Sequence, residues 1–100
     1  MVQINWTNIA ITDLKDIADY IKKDSDYYAK IQVVRLKKRV EILKKQPLIG
    51  SIVPEFNRND LRQLICGNYR IIYKIKSEKN IDILSVHHTS RDLISRKIIN

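Results

Sequence analysis

Between residues 8 and 45 the apolar positions of this chain recur at helical spacing, and on either side they alternate. In VQINW, residues 2–6, Val2, Ile4 and Trp6 alternate with polar neighbours and predict a short strand. Thr7 then reads as the N-cap of a helix running to Lys23. Ala10, Leu14, Ile17, Ala18 and Ile21 form its apolar face, Asp13, Asp16 and Asp19 take the other positions, and Lys22 and Lys23 complement the negative end of the dipole. The turn DSD at 24–26 supplies a second N-cap. After it Ala29, Val33, Leu36, Val40 and Leu43 repeat at intervals of 4, 3, 4 and 3, a second amphipathic helix of about 19 residues. Gln46-Pro47 stops it, because proline excludes the α region for the residue before it. Two helices joined so tightly predict an antiparallel hairpin.

Residues 47–60 hold both prolines and one of the two glycines and read as the longest irregular segment. Three strand-like runs follow, LRQLIC at 61–66, YRIIYKIK at 69–76 and IDILSVHH at 81–88, linked by turns short enough for hairpins. The order is β-α-α-β-β-β, and SRDLISRKIIN at 90–100 also allows a short terminal helix capped by Ser90. The expectation is an α+β fold in one domain spanning 1–100, with the helical hairpin packed on one face of a twisted antiparallel sheet. Period 2 turns Tyr69, Ile71, Tyr73 and Ile75 toward the helices and Arg70, Ile72, Lys74 and Lys76 away from them. Pairing of neighbouring strands is expected to bring Arg62 near Arg70, so that the face opposite the helices becomes a basic floor.

Composition sharpens this picture. A net charge of +8, spread evenly over the two halves of the chain, favours an acidic or polyanionic partner on a surface assembled by folding, not on a basic tail. The lone Cys66 suits a reducing compartment and reads as a small core residue. No run of 18 apolar residues and no basic-apolar leader is present, so the chain is expected to be cytoplasmic, with no membrane contact.

The candidate chemistry lies around the sheet. Glu55 sits in the loop entering it, and His87, His88 and Arg91 sit where its last strand leaves. A carboxylate, an imidazole and guanidinium groups converging on one face suit metal-independent cleavage of RNA by its own 2′-hydroxyl. That reaction needs a general base, a general acid and cations on the phosphate. Adjacent strand residues point to opposite faces, so at most one of His87 and His88 joins a given site. The plainer reading pairs Arg62 or Arg70 with Glu55 or Asp82 in a structural salt bridge. It also makes Lys37-Lys38-Arg39 a solvated helix face. Two diverging histidines without a ligand-spaced carboxylate do not make a metal site, and nothing calls for a cofactor. Ile31, Val34 and Ile42 are apolar residues left over from the helix faces and offer a docking surface to an acidic partner.

The stretches DLKDIADYI (13–21), P..G..VPEF (47–56), LRQLICGNYRIIYKI (61–75) and ILSVHHTSRDL (83–93), in this order, resemble the RelE/ParE superfamily of type II toxin–antitoxin toxins. The resemblance implies a helical hairpin on an antiparallel sheet and a growth-inhibiting toxin neutralised by a cognate antitoxin. It implies operator DNA as a partner only through that antitoxin. It leaves two targets open. RelE-like members are ribosome-dependent mRNA endonucleases, and on that branch Glu55, Arg62, Arg70 and His87 or His88 would be catalytic. ParE-like members poison DNA gyrase by protein contact. Lys74, Arg91 and Arg96 are expected to bind the target or an anion on either branch. The DL..I..YI and H..SRDL signatures, with no tyrosine after Tyr73, lean toward the ParE-like side.

Overall fold

The computed structural model describes residues 1–90. The helix expected after Ser90, together with Arg91 and Arg96, lies outside the described residues. The elements are β1 (Gln3–Trp6), α1 (Asn8–Lys22), α2 (Asp26–Glu41, continued by a 3₁₀ turn at Ile42–Lys44), β2 (Ser51–Ile52), β3 (Leu61–Cys66), β4 (Tyr69–Ser77) and β5 (Asn80–His88). The five strands form one sheet in the order β1-β5-β4-β3-β2. Strands β2 to β5 pair antiparallel, whereas β1 pairs parallel with β5, Gln3 opposite Asn80 and Trp6 opposite Ile83. The sheet is therefore mixed where a purely antiparallel one was expected. The helical hairpin carries the chain from β1 back to the start of the meander, and that crossover permits a parallel edge. The two-residue strand β2 lies inside the segment read as irregular, too short to leave an alternation.

Both helices start as their caps dictate. Thr7 Oγ1 accepts the Ala10 N–H at 3.2 Å and donates to the Ile83 carbonyl at 2.7 Å, so one side chain caps α1 and ties it to β5. Ser25 Oγ accepts the Tyr28 N–H at 3.2 Å to start α2. The helices bury Ala10, Leu14, Leu36, Val40 and Leu43 against Leu64, Ile71, Tyr73, Ile81, Ile83 and Val86 of the sheet. Burial of each large aliphatic chain contributes roughly 1.5–3 kcal/mol. Ile42, one of the residues anticipated for docking, is half-buried and packs against this core.

Two local devices set which side chains share a face. Gly67-Asn68 closes a two-residue hairpin with Gly67 at φ +60°, a conformation that favours glycine, and this puts Cys66 opposite Tyr69 and Arg62 opposite Tyr73. In β5 the register shifts between Ile72 and Tyr73 of its partner: Ser85 faces Ile72, Ile83 faces Tyr73, and Leu84 is the extra residue of a β-bulge. Ile83 and Val86 both enter the main core, while Leu84 joins a second cluster with Val53, Leu61 and Ile72 on the far side of the sheet. Beside the bulge, the carboxylate of Asp13 accepts the Val86 N–H at 2.8 Å. Asp13 was assigned to the polar face of α1, yet it is buried, because this backbone donor needs an acceptor. Asp13→Ala is expected to lower the folding free energy by roughly 1–3 kcal/mol in urea titrations, since the buried Val86 donor loses its acceptor, and Asp13→Asn, which retains an amide oxygen, by less.

Candidate functional site

The sheet face away from the helices is not a basic floor. Val53, Leu61, Ile72 and Leu84 form its floor, with Phe56 packed against them from the loop between β2 and β3. At the edge of this small apolar cluster lies Arg70, only 8% exposed. Its Nη1 and Nη2 donate to the two carboxylate oxygens of Glu55 at 2.7 and 3.0 Å, a bidentate pair. Nε and Nη2 also donate to Gln63 Oε1, at 2.9 and 2.6 Å. His87 stands directly across from Arg70 in the β4–β5 register and is 2% exposed. Its Nδ1 lies 3.4 Å from Ser85 Oγ.

The structure thus brings together three of the anticipated residues, Glu55, Arg70 and His87. It separates the others. Arg62 points to the helix side, because the hairpin register sets it opposite Tyr73 and not beside Arg70. There its guanidinium donates to three backbone carbonyls, Asn59 at 3.1 Å, Leu48 at 3.3 Å and Gly50 at 3.0 Å. Its role is to clamp the loop after α2. The Tyr73 hydroxyl completes that clamp, accepting the Gly50 N–H at 3.0 Å and donating to the Pro47 carbonyl at 2.8 Å. Burial pushes the Tyr73 phenol above its ordinary pKa, with the Gly50 hydrogen bond and the Arg62 charge opposing. A Cβ on Gly50 would meet the Gln63 carbonyl and the Tyr73 hydroxyl, each at 2.6 Å, so the loop closes this tightly only with glycine.

His88 is exposed, on the face opposite His87, with its ring edge-on to Tyr69 at 5.9 Å and its Nδ1 2.8 Å from Ser90 Oγ. Lys74 shares a face with Arg70, but buried Ile72 separates them, and Lys74 sits opposite Asp82. Nearby, Arg58 chelates Asp60 at 2.7 and 3.0 Å and holds its carboxyl below the ordinary range, with Lys74 pulling the same way. Gln63 and Ser85 were absent from the anticipated set. Gln63 was within reach of the sequence: counting back from the two-residue Gly67-Asn68 turn places it opposite Ile72, one step along from Arg70. Ser85 was not, because the bulge that turns it to this face leaves no mark in the alternation. Among the described residues no group of three or more histidine, cysteine or acidic side chains is placed to hold a metal ion. No helix among them is long and apolar enough to cross a membrane.

The cluster is a self-contained ionic lock. Arg70 holds the Glu55 carboxyl below its ordinary pKa through the paired hydrogen bonds; partial burial opposes this, and a protonated His87 reinforces it. Phe56 and Glu55 together close the loop over the second cluster, one by apolar contact and one by charge.

A helical hairpin laid over a five-stranded, mostly antiparallel sheet is the layout that the resemblance to RelE/ParE toxins implied. The sequence matches, over residues 4–93, the family described as ParE toxin of type II toxin–antitoxin system, parDE, and the chain belongs to that family. In fold it is similar to a chain of the chromosomal ParDE toxin–antitoxin system from P. aeruginosa, with a TM-score of 0.73 and 24% identity over 88% of this chain and 96% of that one. It is likewise similar to a chain of the toxin–antitoxin complex RelBE2 from Mycobacterium tuberculosis, with a TM-score of 0.63 and 21% identity over 87% of this chain and 96% of that one. No curated protein matches the sequence.

The Glu55–Arg70 pair makes stability depend on pH with a definite sign. The Glu55 pKa is lower in the folded chain, so the unfolded chain takes up the proton first as the pH falls. The stabilisation is complete above the ordinary carboxylate pKa of about 4.3 and is lost as the pH drops through the folded value. Glu55→Gln is therefore expected to unfold at lower urea than the wild type at neutral pH, with the gap between the two midpoints closing on acidification.

Proposed function

We infer that the protein is a growth-inhibiting toxin that acts by protein contact on DNA gyrase and is held inactive by a cognate antitoxin. The single observation that supports contact over catalysis is the engagement of Arg70. Its guanidinium makes four hydrogen bonds to Glu55 and Gln63, and Arg62 faces the other side of the sheet, so the cations that would grip a scissile phosphate are split. Membership of the ParE family favours the same reading.

A second reading, ribosome-dependent mRNA cleavage, draws on one specific observation: Glu55, Arg70 and His87 do meet on one face. In that case the loop carrying Glu55 has to open before Arg70 reaches a phosphate, and Glu55 and His87 would serve as the proton-transfer pair.

The two readings part on a direct assay. Purified toxin mixed with gyrase, ATP and supercoiled plasmid is expected to accumulate gyrase-linked cleaved DNA. His87→Asn, after a thermal melt confirms that it folds, is expected to keep growth inhibition within about threefold of wild type, well under the roughly 10²–10⁴-fold contribution of a general acid or base. Loss of toxicity in the folded variant, together with new mRNA ends inside translated codons after induction of the wild type, would establish the nuclease reading instead.

A further inference from the structure

Folding gathers the positive charge of the chain onto one element. From Tyr27 to Lys45, along α2 and the turn that extends it, stand seven cations and one acid, Glu41, so this stretch carries six of the eight net positive charges. Two of the seven are engaged: Arg39 Nε donates to the Ile65 carbonyl at 3.2 Å, and Lys44 pairs with Glu41 at 3.0 Å. The other five, Lys30, Arg35, Lys37, Lys38 and Lys45, are exposed and make no ion pair among the described residues.

The cations flank α2 on both sides. Lys37 and Lys44 line the cleft between α1 and α2 together with Lys15, and Glu41 is the one acid there. Lys30, Arg35 and Lys38 line the shallow groove on the outer side, which has no acid in its walls. Lys30, Lys37 and Lys44 follow one another at seven-residue intervals, roughly 10 Å or two turns. Helix α1 differs: its exposed Lys15, Asp16, Asp19 and Lys22 mix both signs, the pattern of a solvated face.

Five of the seven cations are lysines, which are depleted where proteins meet proteins and suit the hydrated, geometry-tolerant contacts of a phosphate backbone. Beyond Val34 no large apolar side chain of this helix is exposed, so its most cationic part has nothing to insert into a bilayer. A second copy of the chain would set the lysines against their own counterparts, which opposes pairing. Duplex DNA carries a negative charge about every 1.7 Å, divided between two strands, and so offers acceptors to both flanks of one helix.

We propose that α2 binds the phosphate backbone of duplex DNA without regard to base sequence, through Lys37 and Lys44 on one flank, Lys30, Arg35 and Lys38 on the other, and Lys45 at its end. The inference deepens the gyrase reading and rests on it in one respect: the duplex is the segment that gyrase holds, so that the toxin grips enzyme and DNA together.

Fluorescence anisotropy with labelled duplexes of about 20 base pairs, two turns, tests the surface. Two duplexes of unrelated sequence are expected to bind alike. The logarithm of the affinity is expected to fall against the logarithm of salt concentration with a slope of about −4 to −5, roughly 0.9 for each free cation. The triple variant Lys37→Gln, Lys38→Gln, Lys45→Gln keeps helix-forming side chains, and a thermal melt checks its fold. It is expected to bind about thirtyfold more weakly or worse and to lose nearly three units of slope. Lys76→Gln, whose ammonium lies 3.6 Å from Asp82, is expected to stay within about twofold of wild type. Unchanged affinity in the triple variant, a slope shallower than about −2, or tighter binding to single-stranded RNA, to phosphatidylserine vesicles or to a glutamate-rich peptide would overturn the proposal.

The gyrase cleavage assay separates the two claims. The triple variant is expected to need about tenfold more toxin than wild type, or more, to accumulate the same cleaved DNA. Wild-type cleavage by a variant that no longer holds the duplex would overturn the gyrase-bound segment as the partner. Absence of cleavage with wild-type toxin that does bind the duplex would overturn the gyrase reading and leave the DNA surface standing.

Discussion

The hydrogen bond between the buried Asp13 carboxylate and the Val86 N–H is the contact on which the arrangement of the far face depends. Between its pairs with Ile72 and Tyr73 strand β5 carries one extra residue, and the bulge at Leu84 reverses its side-chain alternation. Upstream of the bulge Ile81 and Ile83 face the helices; downstream Val86 does so, and His87 is turned away. An unbroken register from Ile83 would have set Val86 opposite Arg70 and turned Ser85 and His87 toward the helices. Asp13, one turn into α1, meets the backbone where this reversal happens and gives a buried donor its acceptor. A helix residue thereby braces the bulge that brings His87 opposite Arg70 on the far side of the sheet.

The cluster built on that choice has a consistent electrostatic logic. A guanidinium this deeply covered is tolerable only when its donors are matched, and Glu55 and Gln63 match them. The carboxylate comes from the loop between β2 and β3, while Arg62 and Tyr73 hold the neighbouring loop between α2 and β2 from the other side of the sheet. The two arginines expected to act together thus perform separate structural tasks: Arg62 satisfies the Leu48 and Gly50 carbonyls in the loop that leaves α2, and Arg70 anchors the loop after β2 through Glu55. A sheet face so committed to holding its own loop favours a protein that works through its surfaces, and the most distinctive of those is α2, with cations on both flanks.

Much of this was legible in the sequence because it rests on local physics. Helix periodicity, the caps Thr7 and Ser25, the stop at Gln46-Pro47, the strands and the Gly67-Asn68 turn are all set by side-chain spacing and backbone preference over a few residues. So was the rule that only one of two adjacent strand histidines can join a site. The separation of Arg62 from Arg70 was within reach as well, since the two-residue turn already implies the register that parts them.

What the tertiary structure alone decided was which histidine that is, that Asp13 is buried, that β1 runs parallel to β5, and that Arg70 is closed by Glu55. Each depends on an interaction between segments far apart in the chain: Asp13 with Val86, Gln3 with Asn80, Glu55 with Arg70. Period and propensity report how a segment relates to its own neighbours. They carry no information on where a bulge will fall or which distant group will satisfy a buried donor, because those are settled only when the layers pack and every polar group between them must find a partner.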